Sequence, residues 1–317
     1  MDAMFPKFYG NQRTVRILSA AITRGQLSHA YLLAGPWGSG KKTLSRAVAK
    51  RVFCPDSCGQ CQHCQLLVKD LHPDFRVFGA EGLVRLEVAR EFKAFIQIPP
   101  SSAPLKIAVL ENCHRLTNEA ANSLLNILED PPAHALCFLT AEKAEAVLPT
   151  IISRAQLLQL SPLPAVMTVQ QLVSRGVEKS RAEVLAAYSD GILGRALEMN
   201  RREDFFTARE EWTATLIEIL AGRQDPLKIS EKWLQDIDSI LEFFVAWFRD
   251  IQLMHVVPGY SPVNRDLGNQ LKAVSMLCPV DRAIDILESC ARSRERLLAN
   301  CNARLVLDSL MLRMWKG

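Results

Sequence analysis

Two groups of residues in this chain have the types and spacing to do chemistry. One is Cys54-x3-Cys58-x2-Cys61-x2-Cys64, four thiols on eleven residues with Gly59 supplying a turn. Soft ligands on a short, turning segment are what a four-coordinate structural zinc needs. The pattern predicts such a site at Cys54, Cys58, Cys61 and Cys64, with His63 and His72 as alternative ligands. The other group is Gly35-Pro-Trp-Gly-Ser-Gly40-Lys41. Glycines at Gly35, Gly38 and Gly40 let successive N–H groups curl around phosphate oxygens, and Lys41 can reach the terminal phosphates. ATP or ADP is the ligand this loop predicts.

The residues that would turn binding into hydrolysis are altered. The position after the loop lysine calls for a Ser or Thr hydroxyl on Mg²⁺, and here it is Lys42. Thr43 comes one residue late, rotated by ~100° around a helix. Val109-Leu-Glu-Asn-Cys-His-Arg-Leu-Thr117 has the form of a catalytic strand and its exit. Where an Asp-Glu pair would steady the metal and activate water, it carries Glu111 and Asn112. An amide cannot serve as a general base. Lys42, Glu111 and Asn112 therefore predict a degenerate site that hydrolyses no ATP by itself.

Both groups need a scaffold, and the first half of the sequence predicts one. Ala30 to Ala34 reads as a buried strand running into the glycine loop, followed by Leu44, Ala47, Val48 and Val52 at helical spacing. Ile107 to Leu110 and Leu136 to Thr140 are two further apolar runs. Between them Thr117 caps a helix with the stripe Ala120, Ala121, Leu124, Leu125 and Leu128, stopped by Pro131-Pro132. This alternation predicts an α/β fold, a parallel sheet with helices on both faces. After Ser161-Pro-Leu-Pro164 only helical patterns follow, with Trp233, Phe243, Phe244, Trp247, Phe248 and Trp315 at core-like spacing.

The 317 residues allow two or three domains, and 49% hydrophobic with 23% charged residues is an ordinary globular balance. A net charge of +4 with no concentrated basic stripe does not make a dedicated nucleic-acid binder. No apolar run approaches the ~18 residues of a membrane span, and Met1 to Tyr9 lacks a signal-peptide pattern. Five of the nine cysteines are scattered through apolar segments, which fits a reduced, cytoplasmic setting with one metal site.

The motifs together carry a family likeness. His29-Ala-Tyr-Leu-Leu-Ala-Gly35, the four cysteines, His72-Pro-Asp74 and Leu116-Thr-Asn-Glu-Ala-Ala-Asn-Ser-Leu-Leu-Asn-Ile-Leu-Glu-Asp-Pro-Pro132 resemble the bacterial clamp-loader ATPase-fold subunits. These are the gamma/tau and delta-prime chains of DNA polymerase III. The likeness covers residues 8–161 and continues more weakly into Arg292-Ser-Arg-Glu-Arg and Asn302-Ala-Arg-Leu-Val-Leu-Asp. It implies an AAA+ P-loop-type domain over 1–161 with an inserted zinc loop at 54–64. It further implies a helical lid over 162–205 and a helical collar over 206–317.

The resemblance also implies a five-membered ring with gamma/tau and delta subunits. The sliding clamp and primed DNA are reached through that complex, and no membrane is involved. Ser153-Arg154 aligns with the motif whose arginine is presented in trans to ATP on the adjacent subunit, and Thr140 with a phosphate-sensing position. Gly191-Ile-Leu-Gly-Arg195 resembles the lid motif, with Arg195 one place out of register. The departures at Lys42 and Glu111-Asn112 resemble the delta-prime branch, and the shortened first cysteine spacing sets Cys54 apart from the other three thiols. Two alternatives stand beside this: an ATP-hydrolysing gamma/tau-like subunit in which Glu111 holds Mg²⁺, and a zinc-dependent DNA-binding module.

Overall fold

The computed structural model of the chain describes residues 4–5, 8–79, 82–202, 204–299 and 301–315. The chain divides into two compact units, Met1–Pro164 with Ile192–Arg195, and Ala165–Gly191 with Ala196–Gly317. The expected boundary near 161 falls at the end of the first unit. Residues expected as lid and as collar lie in the second, apart from 162–164 and Ile192–Arg195.

In the first unit, strands and helices alternate. They run α1 (Gln12–Thr23), β1 (Ala30–Ala34), α2 (Lys41–Phe53), α3 (Gln62–Val68), β2 (Phe75–Phe78), α4 (Leu86–Gln97), β3 (Lys106–Leu110), α5 (Asn118–Glu129), β4 (Ala135–Ala141), α6 (Pro149–Ile152) and β5 (Gln156–Gln159). The strands form one sheet in the order β2-β3-β4-β1-β5, with every neighbouring pair parallel. Pairing of Ala34 with Ala141, and of Leu110 with Leu139, brings the carboxyl ends of β1, β3 and β4 to one edge.

Period-two alternation makes both faces of the sheet apolar, as an all-parallel sheet requires. Ala30, Leu32, Ala108, Leu110, Cys137 and Leu139 face a core completed by α4 and α5. Tyr31, Leu33, Ile107, Val109, Leu136 and Phe138 face one completed by α1 and α2, with Tyr31 and Phe138 stacked at 5.6 Å. The Thr117 hydroxyl accepts from the Ala120 amide at 3.3 Å and caps α5, as its sequence predicts. The two strands that sequence periodicity does not single out, β2 and β5, are the short sheet edges; β2 buries only its two ends and β5 a single residue.

At the amino end of the sheet, Asp74 ties β2 to the loop before β3. Its carboxylate accepts the amides of Ser101, Ser102 and Ala103 at 2.7–3.0 Å and pairs with the buried Lys106 ammonium at 3.1 Å. That ammonium lies over the Phe95 ring.

The second unit contains α7 (Ala165–Val173), α8 (Lys179–Tyr188), the rest of α9 (Leu193–Arg201), α10 (Phe205–Leu220), α11 (Pro226–Trp233), α12 (Ile237–Val256), α13 (Gly268–Leu277), α14 (Val280–Leu298) and α15 (Ala303–Met314). No strand occurs there among the described residues. Trp233, Phe243, Phe244, Trp247 and Phe248 are buried as predicted, while Trp315 remains 39% exposed. Within this apolar packing, Arg209 is buried and bonds Asp266 through both terminal nitrogens, at 2.9 and 3.2 Å. It also donates to the Asn264 side-chain oxygen at 2.9 Å, which takes a second bond from Tyr188 at 2.7 Å. No helix among the described residues is long and apolar enough to cross a membrane.

The Asp74 cluster gives a stability prediction. Burial alone would raise this carboxyl, but the Ser101 and Ser102 amides, Lys106 and the Ala103 amide outweigh it and hold it at about 2. A folded-state value below the ordinary one stabilises above the unfolded value and loses that contribution as pH falls toward 2. Asp74→Asn leaves the Lys106 charge buried without its partner and is expected to destabilise by about 3 kcal/mol at neutral pH. Urea titrations of both proteins at neutral and acidic pH check this, with the gap narrowing in acid.

Candidate functional site

The carboxyl ends of β1, β3 and β4 open into a cavity of about 820 Å³ bordered by Trp37, Gly38, Gly40, Lys41, Lys42, Thr43, Glu111, Asn112, Arg115, Thr140, Glu142 and Gly194. Its floor is the predicted phosphate loop. Gly38 and Gly40 have φ of 81° and 93°, left-handed values that side-chain-bearing residues rarely adopt, and they turn the loop onto the start of α2. Gly35 begins the turn directly after β1. Gly194 lies against the loop, its N–H donating to the Gly38 carbonyl at 3.1 Å. A Cβ on Gly194 would stand 2.5 Å from that oxygen. The lid-like motif thus contributes to this wall through a bare backbone.

The two lysines of the cavity are held by different partners. Lys41 Nζ donates to the loop carbonyls of Gly35 and Pro36 at 2.6 and 2.9 Å. Burial pulls its pKa down, against the upward effect of Glu142 and Glu111. The next lysine turns to β3, and Lys42 Nζ lies 3.0 Å from Glu111 Oε2. Two of the three positions that depart from the hydrolytic pattern, Lys42 and Glu111, are thus each other's partners.

Asn112 has φ 57° and ψ 45°, a left-handed conformation that Asn tolerates better than most residues. Its N–H donates to the Thr140 hydroxyl at 3.3 Å. Thr140, placed by resemblance at a phosphate-sensing position, borders the cavity, and its oxygen accepts this backbone bond. Mg²⁺ requires oxygen ligands in near-octahedral array. Here an ammonium replaces the hydroxyl ligand and neutralises the carboxylate, so this donor set does not fit the ion.

The cysteine cluster is built by the end of α2, a turn and the start of α3. Cys54 ends α2, Ser57 and Gly59 turn the chain with φ of 47° and 78°, Cys61 precedes α3 and Cys64 lies in its first turn. The four sulfurs all lie within 4.8 Å of one another, with Cys54 and Cys58 3.7 Å apart. Four sulfurs bound to a tetrahedral zinc stand about 3.8 Å apart. Cys54 therefore gathers with the other three despite the short spacing.

The amides of Gln60 and Cys61, with the Cys54 and Cys61 thiols, hold Cys58 down at about 6, while burial pushes Cys64 up to about 12. A soft divalent cation is what would hold both as thiolates. His63 and His72 bond each other, Nδ1 to Nε2 at 2.8 Å. His72 Nδ1 accepts the Asp74 amide at 3.0 Å, leaving its Nε2–H to donate to His63. The histidines stand outside the thiol group.

Ser153 and Arg154 follow α6. The Arg154 guanidinium forms an ion pair with Glu129, at the end of α5, and donates to the Thr150 carbonyl at 2.9 Å and the Ser153 hydroxyl at 3.2 Å. Its side chain is about one-third exposed. The backbone there is fixed by His29, whose Nε2 meets the Arg154 carbonyl at 3.1 Å. Sequence reasoning did not single out Glu129, Arg115, Glu142, Trp37 or Gly194. Trp37 lies inside the 35–41 motif, Arg115 inside 109–117, Glu129 inside 116–132 and Gly194 inside 191–195, so of these only Glu142 stood outside every motif.

Family models described as "DNA polymerase III, delta subunit" and "DNA polymerase III, delta subunit, C terminal" match residues 10–164 and 203–316. DNA polymerase III subunit delta' of Pseudomonas aeruginosa is 34% identical, over 92% of each chain. Subunit delta' of Bacillus subtilis is 24% identical over 96% of each, and subunit tau of that organism is 24% identical over 87% of this chain and 56% of its own length. Among solved structures, a gamma subunit-related protein of Thermotoga maritima covers 94% of this chain and 98% of its own, at 18% identity and TM-score 0.47. With its α/β P-loop fold, and with 34% identity across nearly the whole length of a delta' subunit, this chain belongs to the DNA polymerase III subunit delta' family.

Proposed function

We propose that this chain acts as the stator of a bacterial sliding-clamp loader, an AAA+ subunit that completes the ring without hydrolysing ATP itself. The observation that carries this reading is the 3.0 Å Lys42–Glu111 ion pair, which fills the two positions where a hydrolytic site would hold its metal. With Asn112 in place of a carboxylate, the position that would activate water cannot accept a proton. The cytoplasmic partners are gamma/tau and delta subunits, and through them the clamp and primed DNA. The alternative of an ATP-hydrolysing subunit would require Glu111 to give up Lys42 before it could take a metal.

In this reading the chain's contribution to turnover is Arg154. A guanidinium offers forked donors to the charge that develops on a transferring phosphoryl group. The Glu129, Thr150 and Ser153 contacts hold it folded against its own subunit, and phosphate oxygens on a gamma/tau neighbour would compete for the donors now given to Glu129. Ser153 is a positioning residue, receiving one guanidinium bond and donating to Thr150 at 3.1 Å. Cys54, Cys58, Cys61 and Cys64 hold a structural zinc that fixes the turn between α2 and α3, and the metal takes no part in phosphoryl chemistry.

Clamp- and DNA-stimulated ATP turnover of a reconstituted loader, with this chain or its Arg154→Ala form, tests the proposal. A loss of at least about a hundredfold at one neighbouring site is expected with assembly intact. Unchanged turnover in the assembled complex would remove Arg154 from the mechanism. Elemental analysis is expected to find one zinc per chain, and none in the Cys58→Ser, Cys61→Ser double variant. Metal loss should lower the melting temperature by roughly 5 °C or more. Protein purified without zinc and melting unchanged would sink the metal assignment.

A further inference from the structure

The phosphate loop raises a question separate from Arg154: what balances charge in a pocket whose metal ligands are gone. The side chains bordering it are Lys41, Lys42 and Arg115 against Glu111 and Glu142. Lys41 is turned onto the carbonyls of Gly35 and Pro36, and Lys42 onto Glu111. For a divalent ion to take Glu111 as a ligand at ~2.0–2.1 Å, it would have to compete with Lys42 for the carboxylate and stand beside an ammonium. Both oppose metal entry. Thr43 also borders the cavity, but its hydroxyl projects from the neighbouring helical position, ~100° round α2 from the one that offers a ligand.

The ammonium has a second property that a simple lost ligand would lack. Lys42 is 49% exposed and Glu111 30% exposed, so the pair lies at the open side of the cavity and not in the core. A flexible, partly solvated ammonium can leave a carboxylate for a phosphate oxygen without exposing a buried charge. The space of about 820 Å³ over the loop is within the range of small-molecule sites.

We infer that this pocket excludes divalent cations and that Lys42 supplies the counter-charge in their place, so that a nucleoside di- or triphosphate binds there independently of Mg²⁺. The inference rests on reading the loop as a phosphate cradle and not on the role given to Arg154. Loss of loader turnover in Arg154→Ala is compatible with either outcome here, so the two ideas fail separately.

The test is titration of the full-length chain with ADP and with ATP by calorimetry, once in excess Mg²⁺ and once in EDTA. Wild-type affinity is expected to be the same in both buffers. Lys42→Ser removes the ammonium and frees Glu111, and should weaken binding in EDTA by about tenfold, the scale of one charge-assisted hydrogen bond. The same variant should recover affinity when Mg²⁺ is added. Glu111→Gln keeps Lys42 and should retain metal-independent binding. Circular dichroism of each variant confirms folding. Tighter wild-type binding with Mg²⁺ would overturn the inference. So would an unaltered EDTA isotherm in Lys42→Ser, or no nucleotide bound in either buffer.

Discussion

A parallel sheet buried on both faces is the constraint from which the geometry of the first unit follows. Tyr31 and Leu33 enter one core while Ala30 and Leu32 enter the other, so a slip of one residue in β1 would exchange the two sets. That fixed register brings the ends of β1, β3 and β4 together. The loop after β1, Glu111 after β3 and Thr140 near the end of β4 consequently meet around one cavity, although more than a hundred residues separate the first from the last. Ligand sites in open α/β sheets form at such carboxyl ends for this reason.

Within that frame, Lys42 and Glu111 form a compensated pair. Either change alone would leave a charge without its usual partner: an ammonium beside a phosphate loop, or a carboxylate without a cation. Together they neutralise each other at 3.0 Å. Asn112 fits the same picture from the backbone side, because the strand exit requires a left-handed residue there and the Thr140 hydroxyl supports its N–H. Lys42, Glu111, Asn112 and Thr140 thus fit one another around the cavity that the loop glycines shape.

The helical unit is organised around a different compromise. Its aromatic core encloses Arg209, and the desolvation of that charge is offset by Asp266, the Asn264 oxygen and the rings of Tyr188 and Phe206. Asp250 in turn accepts the amides of Val263 and Asn264 and the Tyr260 hydroxyl, fixing the segment between α12 and α13. A connection with only one 3-10 turn, Arg265–Leu267, is held by directional bonds where apolar packing alone would leave its path unspecified.

The sequence by itself determined the local features: the glycine loop after a buried strand, the Thr117 cap, the four clustered thiols, and the change from alternating elements to helices after Pro164. Each depends on residues close together in the chain, where spacing maps directly onto geometry. The short edge strands β2 and β5 escaped that reading because they lack a continuous apolar run. The sequence likewise contained Lys42, Glu111, Glu129 and Arg154 without saying that they meet in pairs. Only the tertiary structure decided that Lys42 turns to Glu111, that Arg154 lies on Glu129, and that His63 bonds His72 outside the thiol group. Such pairings depend on how the sheet register and helix packing orient side chains that are remote in sequence or turned away from a neighbouring motif, and no spacing rule encodes that orientation.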